Sequence, residues 1–282
     1  MQIIHTVAKL RNTLKANASI GFVPTMGNLH AGHLRLVELA KQRAKCVVVS
    51  IFVNPLQFGV NEDLASYPRT LEADCEKLKA VGADIVFMPS VAEMYLDFDG
   101  KNLNQSMTIT PPAIANELCG ASRPGHFAGV ATVVMKLFNI VQPQIAVFGK
   151  KDFQQLFIIK EMVRQFNLPI EIIAGETMRE ASGLAMSSRN GYLSDEQKTK
   201  ASQLQQSLKH IACNIQQGND NFNALTWTAI QTLNNDGWTV DYISVRSALT
   251  LAPATIGDGQ LVALAAAKLG STRLIDNIDF LR

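Results

Sequence analysis

The chain has 282 residues, of which 47% are hydrophobic and 18% are charged. This composition is enough for a substantial core and predicts about two domains. The formal net charge of +2 gives only weak long-range attraction to nucleic acid or acidic membranes, so small molecules are the expected partners. The four cysteines lie far apart without a C-x-x-C spacing, which indicates neither a disulfide framework nor a zinc knuckle.

The sequence also predicts a cytoplasmic protein. Its first 22 residues have no apolar segment typical of a secretory leader. No apolar run reaches the ~18 residues that a membrane span requires. We therefore expect neither a membrane nor a nucleic acid as a partner.

Strand-like and helical patterns alternate through the first part of the chain. Apolar runs rich in β-branched residues, each typical of a buried parallel strand, lie at 19–24, 46–55, 83–90, 144–149 and 170–175. Helical patterns separate them, at 34–40, 71–82, 129–141 and 153–166. This alternation predicts an α/β fold with a doubly wound parallel sheet, and we place this N-terminal domain at residues 1–177.

The pattern changes after about residue 177. A polar loop with two glycines spans 183–197, and within it Ser194 and Gln197 form a predicted capping box. Helices are predicted at 194–217 and 221–235, and strand-like segments follow at 240–247 and 260–277. We expect a smaller α+β C-terminal domain at residues 178–282.

The stretch GNLHAGH, residues 27–33, follows the first predicted strand. Ligands of an open parallel sheet bind at the carboxyl ends of its strands, where the next helix begins. Gly27 allows the chain to turn, and Gly32 allows a flat ligand to approach the backbone. His30 and His33 are three residues apart, so both are expected to point the same way and donate N–H groups to anionic oxygens. The stretch therefore predicts phosphate binding.

Two other interpretations of these histidines remain open at this point. Each could simply cap the helix. A zinc site is disfavoured, because it needs three or four ligands and the other histidines, His5, His126 and His210, have no supporting spacing. Neither G-x-G-x-x-G nor a P-loop motif occurs. Two histidines with a distant Ser/Arg loop, here MSSRN at 186–190, are typical of adenylate-forming enzymes of the class I synthetase type.

Several longer motifs occur in order along the chain. They are PTMGNLHAGH (24–33), SIFVNPLQFG (50–59), YPRTLEAD (67–74), SRPGHFAGV (122–130), FGKKDFQQL (148–156), MSSRNGYL (186–193) and LGSTRLIDN (269–277). Together they resemble the pantoate:beta-alanine ligase family. The resemblance implies a Rossmann-like N-terminal domain and a C-terminal domain that closes over the nucleotide. It also implies ATP-dependent condensation of (R)-pantoate with beta-alanine through a pantoyl adenylate, with release of AMP and pyrophosphate.

The resemblance further implies Mg²⁺ bound with ATP, a homodimer and a set of site residues. His33 is the implied catalytic residue, and Gln57 and Gln155 are expected to bind pantoate, with Gln57 also at beta-alanine. No residue is assigned as a metal ligand. The implied ATP-binding residues are Met26, Gly27, Asn28, Leu29, His30, Ala31, Gly32, His33, Gly149, Lys150, Lys151, Asp152, Met178, Met186, Ser187, Ser188 and Arg189.

Three residues depart from the family's usual pattern. Lys150 stands where an acidic residue is common, Ala31 where Asp or Glu is common, and Ala128 where Arg is common. None removes a proposed ligand.

Two other functions remain as alternatives. One is a nucleotidyltransferase that shares the histidine site but has no need for Gln57 and Gln155. The other is a noncatalytic RNA-binding or regulatory module. The modest charge and the lack of an aromatic-basic motif disfavour the module.

Overall fold

The computed structural model of the chain describes residues 1–59, 64, 67–68 and 70–282. Arg69, in one of the motifs above, lies outside the described residues. The chain forms two compact units: the first comprises Met1–Gly149 and Gln155–Glu176, and the second comprises Lys150–Gln154 and Thr177–Arg282.

A parallel sheet of six strands forms the centre of the first unit, in the order β1-β4-β3-β2-β5-β6. This sheet confirms the predicted fold class. Strand β1 was not predicted, since three residues are too few to show a pattern. The strands are β1 (Gln2–Ile4), β2 (Ile20–Thr25), β3 (Cys46–Ile51), β4 (Ile85–Phe87), β5 (Ile145–Gly149) and β6 (Glu171–Gly175).

Helices cover both faces of this sheet, because successive side chains of a strand point to opposite faces. Phe22 and Val48 pack in one apolar cluster with α1, α6 and α7, whereas Val23 and Val49 pack in another with α2 and α3. The helices are α1 (Val7–Leu14), α2 (Ala31–Arg43), α3 (Leu71–Ala80), α4 (Val91–Met94), α5 (Cys119–Ser122), α6 (His126–Val141) and α7 (Phe153–Gln165).

The strand order reverses direction between β2 and β5. From β2 the chain builds outward through β3 and β4 on one side, and β5 and β6 lie on the other. In doubly wound sheets the crevice at such a reversal is the usual ligand site. Thr25 ends β2 and Gly149 ends β5, so the histidine stretch and Gly149 both lie at the ends of the strands that flank this reversal.

The second unit is an antiparallel sheet packed with two helices around its own core. The predicted capping box is confirmed, with Ser194 Oγ accepting from the N–H of Gln197 and Gln197 Oε1 accepting from the N–H of Ser194. The segment predicted at 260–277 is two strands, joined where Gly270 has a φ of +60°. The elements are α8 (Asp195–Gln216), α9 (Phe222–Asn235), β7 (Trp238–Ser247), β8 (Gln260–Leu269) and β9 (Thr272–Leu281).

None of the helices among the described residues combines the length and the apolar composition needed to cross a bilayer.

Candidate active site

The loop between β2 and α2 turns sharply just before the two histidines. Gly27 has a φ of +86° and Asn28 a φ of +50°, so two successive residues adopt the left-handed conformation that glycine and asparagine tolerate best. A Cβ atom on Gly27 would lie 3.1 Å from Ile51 Cγ2 and 3.3 Å from Asp74 Oδ2. Both the backbone angle and the close packing therefore require glycine at this turn.

His30 and His33 together cap the start of α2. His30 Nδ1 accepts a hydrogen bond from the N–H of Gly32 at 3.1 Å, and His33 Nδ1 accepts one from the N–H of His30 at 3.3 Å. Because an accepting imidazole nitrogen carries no proton, the proton of each neutral ring is on Nε2. The cap thus selects the tautomer in which Nε2 is a donor.

The two imidazole rings lie side by side, with centroids 4.1 Å apart and planes inclined by 40°. Both side chains are half-buried. The capping role considered from sequence is confirmed, and it does not compete with phosphate binding because the two roles use different ring nitrogens. The arrangement places the Nε2–H groups of two neighbouring rings at the carboxyl end of β2.

Helix α3 contributes two side chains that sequence reasoning did not select. Asp74 accepts hydrogen bonds from the N–H groups of Asn28 and Leu29, and Lys77 donates to the carbonyl oxygen of Leu29. Asp74 ends the YPRTLEAD motif, whose resemblance to the family implied no role for this residue. The only signal in the sequence was a carboxylate within that motif.

Gln57 ends a short 3-10 turn after β3. Its side chain is buried between the side chains of Asn54 and Met26. Asn54 Nδ2 donates to Gln57 Oε1 at 3.1 Å, and Gln57 Nε2 faces Met26 Sδ at 3.1 Å. Since thioether sulfur is a weak acceptor, the Gln57 amide has a donor that a stronger acceptor can recruit. The structure therefore brings two predicted site residues, Met26 and Gln57, into contact.

Asn54 holds Gln57 in a single orientation. Its Oδ1 accepts from the hydroxyl of Tyr95 at 2.5 Å and from the N–H of Leu56 at 3.2 Å, while its Nδ2 also donates to the carbonyl of Gly129 at 3.3 Å. These partners fix which end of the Asn54 amide is oxygen. Consequently Gln57 Oε1 faces Asn54, and the NH₂ group is the end of Gln57 that a ligand can recruit.

Tyr95 is almost completely buried beneath this network. Burial raises the pKa of the Tyr95 phenol well above its usual value, so the hydroxyl stays protonated and remains a donor to Asn54. Lys136 Nζ lies 5.1 Å from the centroid of the Tyr95 ring. Burial also lowers the pKa of the Lys136 ammonium, against an opposing effect of Asp97.

His126 and Arg123 brace the same turn from α6 and the segment before it. His126 Nδ1 lies 2.9 Å from the carbonyl oxygen of Gln57, and Arg123 Nη1 lies 2.9 Å from His126 Nε2. A carbonyl only accepts and a guanidinium only donates, so the His126 ring is neutral with its proton on Nδ1. Neither residue was assigned to the site from the sequence, and in the structure they support Gln57.

In the second unit, the predicted ATP-binding residues Met178 and Met186 lie in a small hairpin. The N–H of Met186 donates to the carbonyl of Met178 at 2.9 Å. Arg179, beside Met178, forms a two-point ion pair with Asp276 at 2.7 and 2.9 Å and also donates to the carbonyl of Gly183. The ion pair attaches this hairpin to β9.

Asn277 fixes a second predicted segment of the same unit. Its Nδ2 donates to the carbonyl oxygens of Lys150 at 2.9 Å and Lys151 at 2.8 Å. Lys150 Nζ forms an ion pair with Asp279 at 2.8 Å, so its extra charge is offset within the unit. Asp276 and Asn277 thus explain the LGSTRLIDN motif, to which sequence reasoning gave no role.

The Ser/Arg loop forms a 3-10 turn over Ser188–Tyr192. Ser187 caps this turn by accepting the N–H of Arg189 at 3.2 Å. Asn190 supports it from within, donating to Glu180 Oε1 and the carbonyl of Ala185. Ser187, Ser188 and Arg189 are half-buried, and their backbone is held by these local hydrogen bonds rather than by a long helix or a strand.

The other predicted site residues are distributed over the two units. Gly149 ends β5 and pairs in register with Gly175, and Gln155 lies in the first turn of α7. Asp152 is exposed in the 3-10 turn Lys150–Asp152 of the second unit. Within the described part of the chain, no three His, Cys, Asp or Glu side chains form a group that could hold a metal ion.

Comparison with known proteins identifies the family. The family model described as Pantoate-beta-alanine ligase matches residues 2–279. The chain belongs to the pantoate-beta-alanine ligase family. A pantothenate synthetase of Methylobacillus flagellatus is 66% identical over 280 residues, which cover 99% of each chain. The family and the enzyme class predicted from the sequence are confirmed.

Solved structures of pantoate-beta-alanine ligases show the same fold over the full length. Pantothenate synthetase from Thermus thermophilus superposes with a TM-score of 0.91 at 41% identity, covering 99% of both chains. The ligase of Francisella tularensis, complexed with beta-gamma ATP and beta-alanine, has a TM-score of 0.75 at 35% identity, covering 100% of this chain and 97% of that one.

Proposed function

We propose that this ligase joins (R)-pantoate to beta-alanine through a pantoyl adenylate, using ATP and releasing AMP and pyrophosphate. Membership in the ligase family over residues 2–279 carries this proposal. The paired imidazoles of His30 and His33, at the strand end where doubly wound sheets bind ligands, support the use of a nucleoside triphosphate.

The reaction proceeds in two substitutions. A pantoate carboxylate oxygen attacks the α-phosphorus of ATP, the bond from that phosphorus to the bridging oxygen breaks, and pyrophosphate leaves. The neutral amine of beta-alanine then attacks the acyl carbon, the bond to AMP oxygen breaks, and the nitrogen loses a proton. Activation is needed because a free carboxylate would have to expel oxide, whereas AMP is a good leaving group.

The phosphates are assigned to imidazole, ammonium, hydroxyl and guanidinium donors. Negative charge grows on the α-phosphate and the departing pyrophosphate, and preorganised donors stabilise that charge best. His33 is the proposed catalytic donor through Nε2–H. The other donors to the triphosphate are His30, Lys151, Ser187, Ser188 and Arg189, since ammonium, hydroxyl and guanidinium groups suit terminal phosphates.

The nucleoside is assigned to main-chain and carboxylate groups. Gly149 and Asp152 would bind the ribose, backbone near Met178 would contact adenine, and Met186 would also contact ATP. In the loop, the N–H groups of Asn28 and Leu29 already bind Asp74. The proposed contacts of this loop with ATP therefore use its other atoms.

Pantoate is assigned to two glutamines. The NH₂ group of Gln57, which faces the Met26 sulfur, is the proposed donor to a pantoate oxygen, and Gln155 would hydrogen-bond the same substrate. Gln57 is also the proposed contact of beta-alanine. The amine of beta-alanine attacks the acyl carbon of pantoate, so the two substrates meet at that atom. One residue beside it can therefore contact both substrates in turn.

Mg²⁺ would reach the enzyme bound to ATP. This ion keeps several waters and prefers phosphate and carboxylate oxygens. Oxygens of the triphosphate would be its main ligands, since no side chain of this chain is assigned to the ion. When bound, Mg²⁺ neutralises part of the phosphate charge.

On the basis of family membership we also propose that the protein is a cytoplasmic homodimer. Light scattering in solution measures its oligomeric state.

The deciding experiment is exchange of labelled pyrophosphate into ATP with and without pantoate. We expect exchange only with pantoate, followed by formation of equal amounts of AMP and pantothenate when beta-alanine is added. Exchange that requires a phosphorylated alcohol in place of pantoate would favour the nucleotidyltransferase alternative. Failure to release AMP with any acid and amine would favour a noncatalytic module.

A further inference from the structure

Helix α3 holds the loop in front of the two histidines through a buried carboxylate. Asp74 Oδ2 accepts the N–H of Asn28 at 2.7 Å, and Asp74 Oδ1 accepts the N–H of Leu29 at 2.8 Å. Asp74 has 0% of its surface exposed, and its Oδ2 also accepts from the hydroxyl of Thr70 at 3.1 Å. Burying a carboxylate costs free energy unless such donors surround it. The three donors around Asp74 offset that cost, so the contact is a stable part of the fold.

Lys77, one turn further along α3, binds the same loop as a hydrogen-bond donor, whereas Asp74 binds it as an acceptor. Its Nζ donates to the carbonyl oxygen of Leu29 at 2.7 Å and lies 3.9 Å from Asp74 Oδ1. The main chain of Leu29 is thus bound at both its N–H and its carbonyl group. Together Asp74 and Lys77 form what we term the α3 clamp.

The loop needs such support because of its backbone. Gly27 and Asn28 both have positive φ, a conformation that is unfavourable for a residue with a side chain. Successive N–H groups in such a turn converge and form a site for an anion. Here the carboxylate of Asp74 occupies that site, and the next residue after Leu29 is His30, the cap of α2.

We propose that Asp74 and Lys77 are positioning residues, which act through the main chain of residues 28–29 to hold the imidazoles of His30 and His33 in place for the triphosphate. This inference rests on the proposed function. The clamp residues act on the histidines and not on ATP itself. A misplacement of about 1 Å at a catalytic group can cost roughly a hundredfold in rate, so the clamp matters for catalysis beyond its effect on folding.

The first test is Asp74→Asn, which keeps the shape of the side chain and one acceptor but places an NH₂ group against a backbone N–H. We expect a fall of about tenfold or more in kcat/KM for ATP in the pantoate-dependent exchange assay, in line with loss of a hydrogen bond to a charged group. The KM for pantoate should change less than about twofold. Lys77→Met keeps the aliphatic stem and is expected to show a smaller effect in the same direction.

Asp84→Asn is a control for loss of a carboxylate that accepts a backbone N–H, at an exposed position. Asp84 Oδ2 accepts the N–H of Val47 at 2.8 Å, near the amino end of β3 and away from the histidines. This variant therefore loses the same kind of hydrogen bond, and we expect unchanged kinetics for ATP. An equal loss of exchange in Asp84→Asn and Asp74→Asn would overturn the positioning role.

A double-mutant cycle separates positioning from general support of the fold. Because Asp74 is proposed to act partly through His33, Asp74→Asn should lower the residual exchange of His33→Ala by clearly less than the factor by which it lowers exchange in the wild type. An undiminished tenfold effect in that background would contradict the proposal. So would an Asp74→Asn variant that stays folded and keeps the wild-type kcat/KM for ATP.

Amide hydrogen exchange tests the clamp without any activity. The N–H groups of Asn28 and Leu29 should exchange faster in Asp74→Asn than in the wild type or in Asp84→Asn, and unchanged protection would overturn the clamp. If the wild type lacks pantoate-dependent exchange while the amide result holds, the proposed function fails and the clamp stands. If the wild type is active and the Asp74→Asn kinetics are unchanged, the positioning role fails and the function stands.

Discussion

His30 and His33 complete one helix cap between them, because His33 Nδ1 accepts the N–H of His30 while His30 Nδ1 accepts the N–H of Gly32. The cap therefore has a structural and a chemical consequence. It satisfies donors at the start of α2, and it places the proton of each neutral ring on Nε2. Sequence alone allowed this pair to be either a cap or a phosphate site, and its geometry suits both.

The first prediction separates these two roles at His33. His33→Gln keeps an acceptor at the third helical position, where glutamine is common in capping boxes, whereas His33→Ala removes it. We expect both variants to lose roughly a hundredfold or more of exchange activity, as for loss of one preorganised donor. Thermal unfolding should show a loss of about 1 kcal/mol for His33→Ala and less for His33→Gln. Near-full exchange in either folded variant would remove His33 from the catalytic role.

The second prediction concerns Lys151. We expect Lys151→Ala to lower the adenylation rate by roughly a hundredfold, because it removes a charged donor to the triphosphate. Lys150→Ala is the matched comparison, since Lys150 is paired with Asp279, and its effect should be clearly smaller. Single-turnover measurement of adenylate formation gives both rates, and a reversed order of the two effects would contradict the assignment.

The third prediction concerns Gln155. Because it is assigned to pantoate, Gln155→Ala should raise the KM for pantoate or lower kcat while leaving the affinity for ATP nearly unchanged. Calorimetric titration with ATP and steady-state exchange with varied pantoate measure the two effects separately. Wild-type values of pantoate KM and kcat would exclude Gln155 from the site.

The fourth prediction tests the orientation of Gln57. Tyr95→Phe removes only the hydroxyl that donates to Asn54. Loss of one hydrogen bond of about 0.5–1.5 kcal/mol corresponds to roughly a twofold to thirteenfold rise in pantoate KM. The same substitution in a Gln57→Ala background should have almost no further effect on that KM. An effect of equal size in both backgrounds would show that Tyr95 acts elsewhere.

The fifth prediction concerns the contacts made by β9. Asn277→Ala removes the donor that binds the carbonyls of Lys150 and Lys151, so Lys151 should lose its fixed position and kcat/KM for ATP should fall. Asp276→Ala leaves Arg179 without its ion-pair partner in a largely buried place, which is expected to cost about 3–5 kcal/mol of folding stability. Denaturant unfolding together with exchange kinetics distinguishes the two, because Asn277→Ala should affect kinetics more than stability.

Much of the fold was predictable because its determinants are local. Strands β2, β3, β5 and β6 are apolar runs bounded by polar or glycine-containing turns, and α8 begins with a capping box between Ser194 and Gln197. Strand β1, with three residues, carries too little pattern to be recognised. The division of 260–277 into β8 and β9 was missed because the strand-like pattern continues on both sides of the turn. Gly270 alone marks that turn.

The sequence by itself determined the alternation of strands and helices, the histidine stretch at a strand end and the Ser/Arg loop, since periodicity and backbone preference act over a few residues. Only the tertiary structure decided which distant side chains support these segments. Asp74 meets Leu29 across 45 positions, Tyr95 meets Asn54 across 41, and Asn277 meets Lys150 across 127. Such pairs depend on strand order and on the packing of helices, which no local pattern encodes.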